Sequence, residues 1–180
     1  MKAIDDFANI KESGNRDARS LPAGGYVCSV WSVVDVPDRE YLKVEFDIIE
    51  GDYKTYGTEM MERYGFNPLK FVRSYKKSAV GFFKHFISTI EKSNPGYNWN
   101  WDERTLIGKK FGAVLGLEQY VKQNGDISTR LRLDREVTVD AIRKGDFTVP
   151  PLKTLPGHAP TASQPKDRSA MTDAEIEELF

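Results

Sequence analysis

YVCSVWSVVDV (26–36), PDRE (37–40) and YLKVEFDII (41–49) decide the fold of this chain. The first run is rich in Val and carries Tyr26 and Trp31, residue types that suit a pleated, half-buried surface. Pro37 presets φ for a turn, and Asp38, Arg39 and Glu40 follow it as polar turn residues. The third run alternates, with Leu42, Val44, Phe46 and Ile48 pointing one way and Tyr41, Lys43, Glu45 and Asp47 the other. A strict period of two marks a strand with one face in a core. Residues 26–49 therefore read as a long antiparallel hairpin, closed off by Gly51-Asp52.

Working outward, LKFVRSYKK (69–77) is short; as a strand it places Phe71, Arg73 and Tyr75 on one face. SAVGFFKHFISTIEKSNPG (78–96) is the best helix in the chain, because Val80, Phe83, Ile87 and Ile90 recur at helical spacing. Asn94-Pro95-Gly96 stops it. LIGKKFGAVLGLEQYV (106–121) is apolar and punctuated by Gly108, Gly112 and Gly116, which mark bends or close passage of another backbone. Asn124-Gly125 is a hairpin turn, and TRLRLDREVTV (129–139) alternates again. A short helix at Val139–Lys144 and VPPLKTL close the body. The expected fold is mainly β: a five-stranded Greek-key OB-fold barrel with a helix between strands three and four, plus a disordered C-terminal tail.

The boundaries follow from composition. Five of the nine prolines fall between Pro150 and Pro165, and 18 of the 21 aromatic residues lie between Tyr26 and Tyr120. The expected division is an N-terminal arm (1–19), a folded domain (20–155), a flexible Pro-rich linker (156–170) and an acidic tip (171–180). The 180 residues hold 26 Lys+Arg against 27 Asp+Glu, a net charge of −1. The last ten residues carry four of those acids and no base, so residues 1–170 have a net of +3. No apolar run is long enough to span a membrane, and no leader segment is expected at the N-terminus. One cysteine, Cys28, forms no internal disulfide, which suits a reducing, cytoplasmic setting.

No catalytic set can be assembled. His85 falls on the amphipathic helix and His158 in the linker, and Cys28 reads as a small buried thiol. Glu45 and Asp47 share an outward strand face, whose ordinary reading is a solvated surface rather than a metal site. Neither enzyme activity, nor a metal, nor a cofactor is expected. The body instead interleaves cations with rings: Trp31, Tyr41, Lys43, Arg73, Tyr75, Lys76, Lys77, Trp99, Trp101, Lys109, Lys110, Phe111, Arg130 and Arg132, with Tyr53 and Tyr56 as further rings. Rings stack on bases at about 1–3 kcal/mol each without sequence preference, and a row of Lys and Arg displaces the counterions of phosphates. Core packing competes for every one of these rings. The tip presents Asp173, Glu175, Ile176, Glu177, Glu178, Leu179 and Phe180, an acidic segment ending in a ring that suits a basic pocket on a partner protein.

In its acidic tip ending in Phe, the chain resembles bacterial single-stranded-DNA-binding proteins. LPAGGY, YLKVEFDI, RSYKKSAVGFFKHFISTIEKSNPGYNW, LIGKKFGAVLG and IRKGDFTVPPLK resemble, over about residues 20–155, a family of small proteins in phage and prophage replication modules of Gram-positive bacteria. The resemblance implies an OB-type fold and sequence-tolerant single-stranded DNA binding in phage replication or recombination. Replication or recombination proteins would be recruited through the tip, and a homo-oligomer is among the expected assemblies. The competing expectation is an adaptor that binds protein rather than DNA, loading a replisome component or inhibiting a host enzyme.

Overall fold

The computed structural model describes residues 20–156; the arm at 1–19, the linker beyond Pro156 and the tip lie outside the described residues. Strand β1 (Gly24–Val36) and strand β2 (Tyr41–Ile48) form the expected hairpin, joined by a single 3-10 turn at Pro37–Arg39. Glu40 takes a left-handed φ of 54° there and donates its N–H to the Pro37 carbonyl. Leu42, Val44, Phe46 and Ile48 are all buried. Their partners on β1 are in register except at Trp31, the extra residue between the pairs Val30↔Phe46 and Ser32↔Glu45. Such a bulge turns the strand and resets which residues face out. Val33 therefore packs toward the core while Ser32, Val34 and Val36 take the outer side.

Helix α1 (Tyr56–Tyr64) follows β2 and has no signal in the sequence pattern. Its cap comes from a distance. The Asp47 carboxylate on β2 accepts from Gly57 N at 2.6 Å, Thr58 N at 3.0 Å and the Thr58 hydroxyl at 2.7 Å. An acid at these orphan amides also opposes the positive end of the helix dipole. Strand β3 (Lys70–Ser74), helix α2 (Val80–Ser93), strands β4 (Lys110–Val121) and β5 (Ile127–Val137) and helix α3 (Val139–Lys144) complete the described body. The five strands make one antiparallel sheet in the order β3-β2-β1-β4-β5. Phe46, Phe71, Phe86 and Phe111, from β2, β3, α2 and β4, meet ring to ring at its centre.

The sheet is open between β3 and β5, which share no ladder. A side-chain pair spans the gap. Arg73 on β3 places Nε 2.6 Å and Nη2 2.5 Å from Oε1 of Glu136 on β5, and Glu136 is 3% exposed. The guanidinium also lies 4.7 Å from the Phe71 ring centroid. His85 Nε2, on α2, sits 3.0 Å from the Glu136 backbone carbonyl, which requires its proton on that nitrogen.

From Phe111 to Gly116, strand β4 is buried on both faces. Phe111, Ala113 and Leu115 enter the core, while Gly112, Val114 and Gly116 lie under α3 and the segment after it. A Cβ on Gly112 would stand 2.5 Å from Ile142 Cγ1 and 2.9 Å from the Thr138 carbonyl, and one on Gly116 would stand 2.7 Å from Pro150 Cγ. Gly25 on β1 makes the same room for the Phe147 ring. The segment then runs beside β4, with Gln119 N donating to the Lys153 carbonyl at 2.8 Å and Lys153 N to the Leu117 carbonyl at 2.9 Å. The prediction is that Gly112→Ala destabilises the domain by about 1–3 kcal/mol, because the Thr138 backbone cannot step aside as a side-chain tip can. Urea unfolding of the variant checks this, and an unchanged midpoint would refute the close approach.

Candidate nucleic-acid interface

The register sets three rows of side chains on the outer face of β1, β2 and β3. Across the strands these are Ser32, Glu45 and Lys70; Val34, Lys43 and Val72; and Val36, Tyr41 and Ser74. The middle row places one ammonium between two valines that are 52% and 48% exposed. Desolvation pulls the Lys70 ammonium below its usual value; Glu45 opposes this and Lys43 adds to it. Trp31, at the bulge, is 39% exposed. The turn after β3 brings Lys76 and Lys77 out to solvent beside the same hairpin, since Tyr75 N donates to the Glu40 carbonyl at 2.9 Å. Tyr41 and Lys43 thus share one exposed face, as the alternation of β2 requires.

A second cluster lies on the loop after α2. Trp101 is 81% exposed, and its ring stands 6.3 Å from that of Trp99, which in turn packs edge-on to Phe83. Lys109 Nζ lies 4.6 Å from the Tyr97 ring centroid. Lys110 is exposed, while its backbone is clamped by Asn94, whose side chain bonds both Lys110 N and Lys110 O.

Other residues expected at the interface are placed elsewhere. Phe111 is 0% exposed and offers no face to a ligand. Arg73 and Tyr75 do share a face with Phe71, but it is the inner one. Arg73 is held by Glu136, and the Tyr75 hydroxyl donates to Asp35 at 2.9 Å while its ring meets Phe83. Desolvation, and then Asp35, raise the Tyr75 phenol. Tyr56 is buried, its phenol pushed up to about 12 by desolvation, and Tyr53 packs edge-on to Tyr26. Arg130 and Arg132 point outward, yet carboxylates already engage them. Arg130 Nε lies 2.9 Å from Glu118, Arg132 Nη2 3.0 Å from Asp134, and Lys153 Nζ 3.9 Å from Glu118.

Sequence reasoning passes over Val34, Val72 and Phe82, the last 73% exposed. The outward parity of Val72 is readable from Lys43 once the β2–β3 pairing is known; the exposure of Val34 depends on the bulge. Asp47, weighed for metal, is occupied by α1, and no group of three or more His, Cys, Asp or Glu among the described residues could hold a metal ion. Among the described residues no helix is long and apolar enough to cross a membrane. Neither a protein-family model nor a curated protein matches the chain significantly.

Proposed function

We propose that the chain is a non-enzymatic, sequence-tolerant single-stranded-DNA-binding protein of phage replication or recombination, built on an OB-type barrel. The strand order β3-β2-β1-β4-β5 is the order of such a barrel cut between β3 and β5, and the helix between β3 and β4 agrees with it. The observation that carries the function is the exposed β1–β2–β3 face, where Lys43 lies between Val34 and Val72, with Tyr41 in the next row and Lys76 and Lys77 at its margin. Rings and flat apolar surface suit base faces, and ammonium groups suit a row of phosphates. In this reading the acidic tip recruits a replication or recombination protein through Phe180. The setting is the cytoplasm of the bacterial host, and copies of the chain associate along the strand.

The test is a titration of the full chain with oligo(dT) at several salt concentrations, with duplex of equal length as control. Tight binding of the single strand alone, weakened by salt, supports the reading. Replacing Lys43, Lys76 and Lys77 together by Ala should flatten the plot of log K against log salt by about 0.7 for each phosphate no longer neutralised. An unchanged slope would remove this face from the interface. A second reading, a protein-binding adaptor, is favoured by the Phe82 ring on α2, 73% exposed, because aromatic side chains are enriched at protein contacts. Absence of any oligonucleotide binding would leave that reading standing.

A further inference from the structure

Beyond Leu115, strand β4 has left β1, whose ladder with it ends at the pair Gly24↔Leu115. It runs on with β5 as a two-stranded arm to the turn at Asn124-Gly125. The pairs Leu117↔Leu131, Gln119↔Thr129 and Val121↔Ile127 lie on one face of that arm, in line with the pair Leu115↔Leu133 at the core. Exposure rises along this stripe, from 1% at Leu115 to 42% at Ile127 and 56% at Val121. The other face carries Glu118, Arg130 and Arg132, with Lys153 beside them. Where the segment after α3 reaches the arm, Leu155 N donates to Gln119 Oε1 at 3.2 Å, which leaves Val121 and Ile127 exposed. A two-stranded ribbon is marginal in water unless something packs on it. This one sets its most exposed apolar residues directly opposite each other.

Charge decides what can cover the face. None of its six residues is charged, in a chain where 29% are. A nucleic-acid strand finds no cation there to answer its phosphates. Residues 1–19 hold eight Lys, Arg, Asp and Glu, and residues 157–180 hold seven. Either segment would bring charge to the rim of a face with nothing to answer it. A second arm brings none. Two such faces turned toward each other about a twofold axis bury apolar against apolar and keep the arginines of both copies outside. The opposite face could not do this without setting Arg130 and Arg132 against their own copies.

We propose that this face of the β4–β5 arm is the contact between two copies of the chain, made by Leu117, Val121, Ile127 and Leu131 of each about a twofold axis. Five residues of two strands cover about 17 Å by 10 Å, far less than the roughly 800 Å² that each partner gives to a stable complex. The contact is therefore weak between free molecules. It strengthens where two copies are held on one strand, because their meeting is then intramolecular, at an effective concentration on the order of 1 mM. In that use the inference rests on the single-stranded-DNA reading above, and it names the surface by which neighbours on a strand touch.

The experiment is sedimentation velocity of the full chain without DNA, at concentrations up to about 1 mM. It compares the wild type, the double variant Val121→Asp, Ile127→Asp, and Arg130→Ala on the opposite face. The apparent mass of the wild type should rise from one chain toward two with concentration. The double variant should stay a single chain with an unchanged melting temperature, since both positions are exposed. Arg130→Ala should associate like the wild type. A wild type that stays a single chain throughout overturns the proposal, as does a double variant that still associates, or an Arg130→Ala that loses association as fully. A single-chain wild type whose melting temperature falls in the double variant gives the face to a segment of its own chain, and overturns the proposal too. Should the double variant fail to fold, Val121→Asp alone takes its place with the same expectation. Titration of the same samples with oligo(dT) is read separately. Association without binding of any strand overturns the parent reading and leaves the contact, and strand binding by a wild type that never associates does the reverse.

Discussion

Replacing Phe111 by Ala is expected to remove about 3–5 kcal/mol of folding stability, a transfer loss plus the cavity left behind. The ring is 0% exposed and stands 5.4 Å from Phe46, 6.1 Å from Phe86 and 6.2 Å from Phe71. These neighbours come from β2, α2 and β3 and are held by their own elements, so they cannot all shift inward to refill the space. Domains of this size have about 5–15 kcal/mol in all, so the variant sits near the edge of folding at ordinary temperature. Urea unfolding followed by tryptophan fluorescence measures the change. A loss below about 1 kcal/mol would mean that the four-ring cluster relaxes freely, contrary to close packing. Trp101 supplies the contrast. A ring in the core should lower stability and leave DNA affinity per folded molecule alone, and a ring on the surface should do the reverse.

Phe111 also shows where the sequence misleads. In GKKF it stands beside two lysines and resembles a cation–ring motif, yet strand alternation sends Lys110 outward and Phe111 inward. Period two carries the core of β2 and the outer side of Tyr41 and Lys43 faithfully, because every even position from Leu42 to Ile48 is apolar. The same rule groups Phe71, Arg73 and Tyr75 correctly but cannot say which way their face turns. The answer lies in Glu136, 63 residues further on. Gly112 and Gly116 announce a close approach, and it is made by α3 and Pro150. Helix α1 is hidden because its cap, Asp47, belongs to another element, while the side chain of its own N-cap Thr55 turns to the Lys54 carbonyl and Glu59 rather than to the helix amides. Trp31 illustrates the limit of alternation itself, since one bulged residue resets every outward side chain beyond it.

Truncating Arg73 to Ala is the second large effect, expected at about 3–5 kcal/mol, because it strands the Glu136 carboxylate in a site that is 3% exposed. The loss reports the buried charge left behind rather than the worth of the pair. For that reason the double variant Arg73→Ala, Glu136→Ala should be more stable than Arg73→Ala alone, even though it removes more atoms. Glu136→Gln with Arg73 intact should cost less than Arg73→Ala, since the guanidinium is 18% exposed and also rests on Phe71. The cycle separates two roles for the same arginine. If Arg73 holds the open edges of β3 and β5 together, stability falls and oligonucleotide affinity per folded molecule is unchanged. A single variant that folds as well as the wild type but binds DNA more weakly would return Arg73 to the interface. A double variant no more stable than the single one would show that Glu136 finds water or another donor once Arg73 is gone, so that the seam between β3 and β5 is wetter than its burial implies.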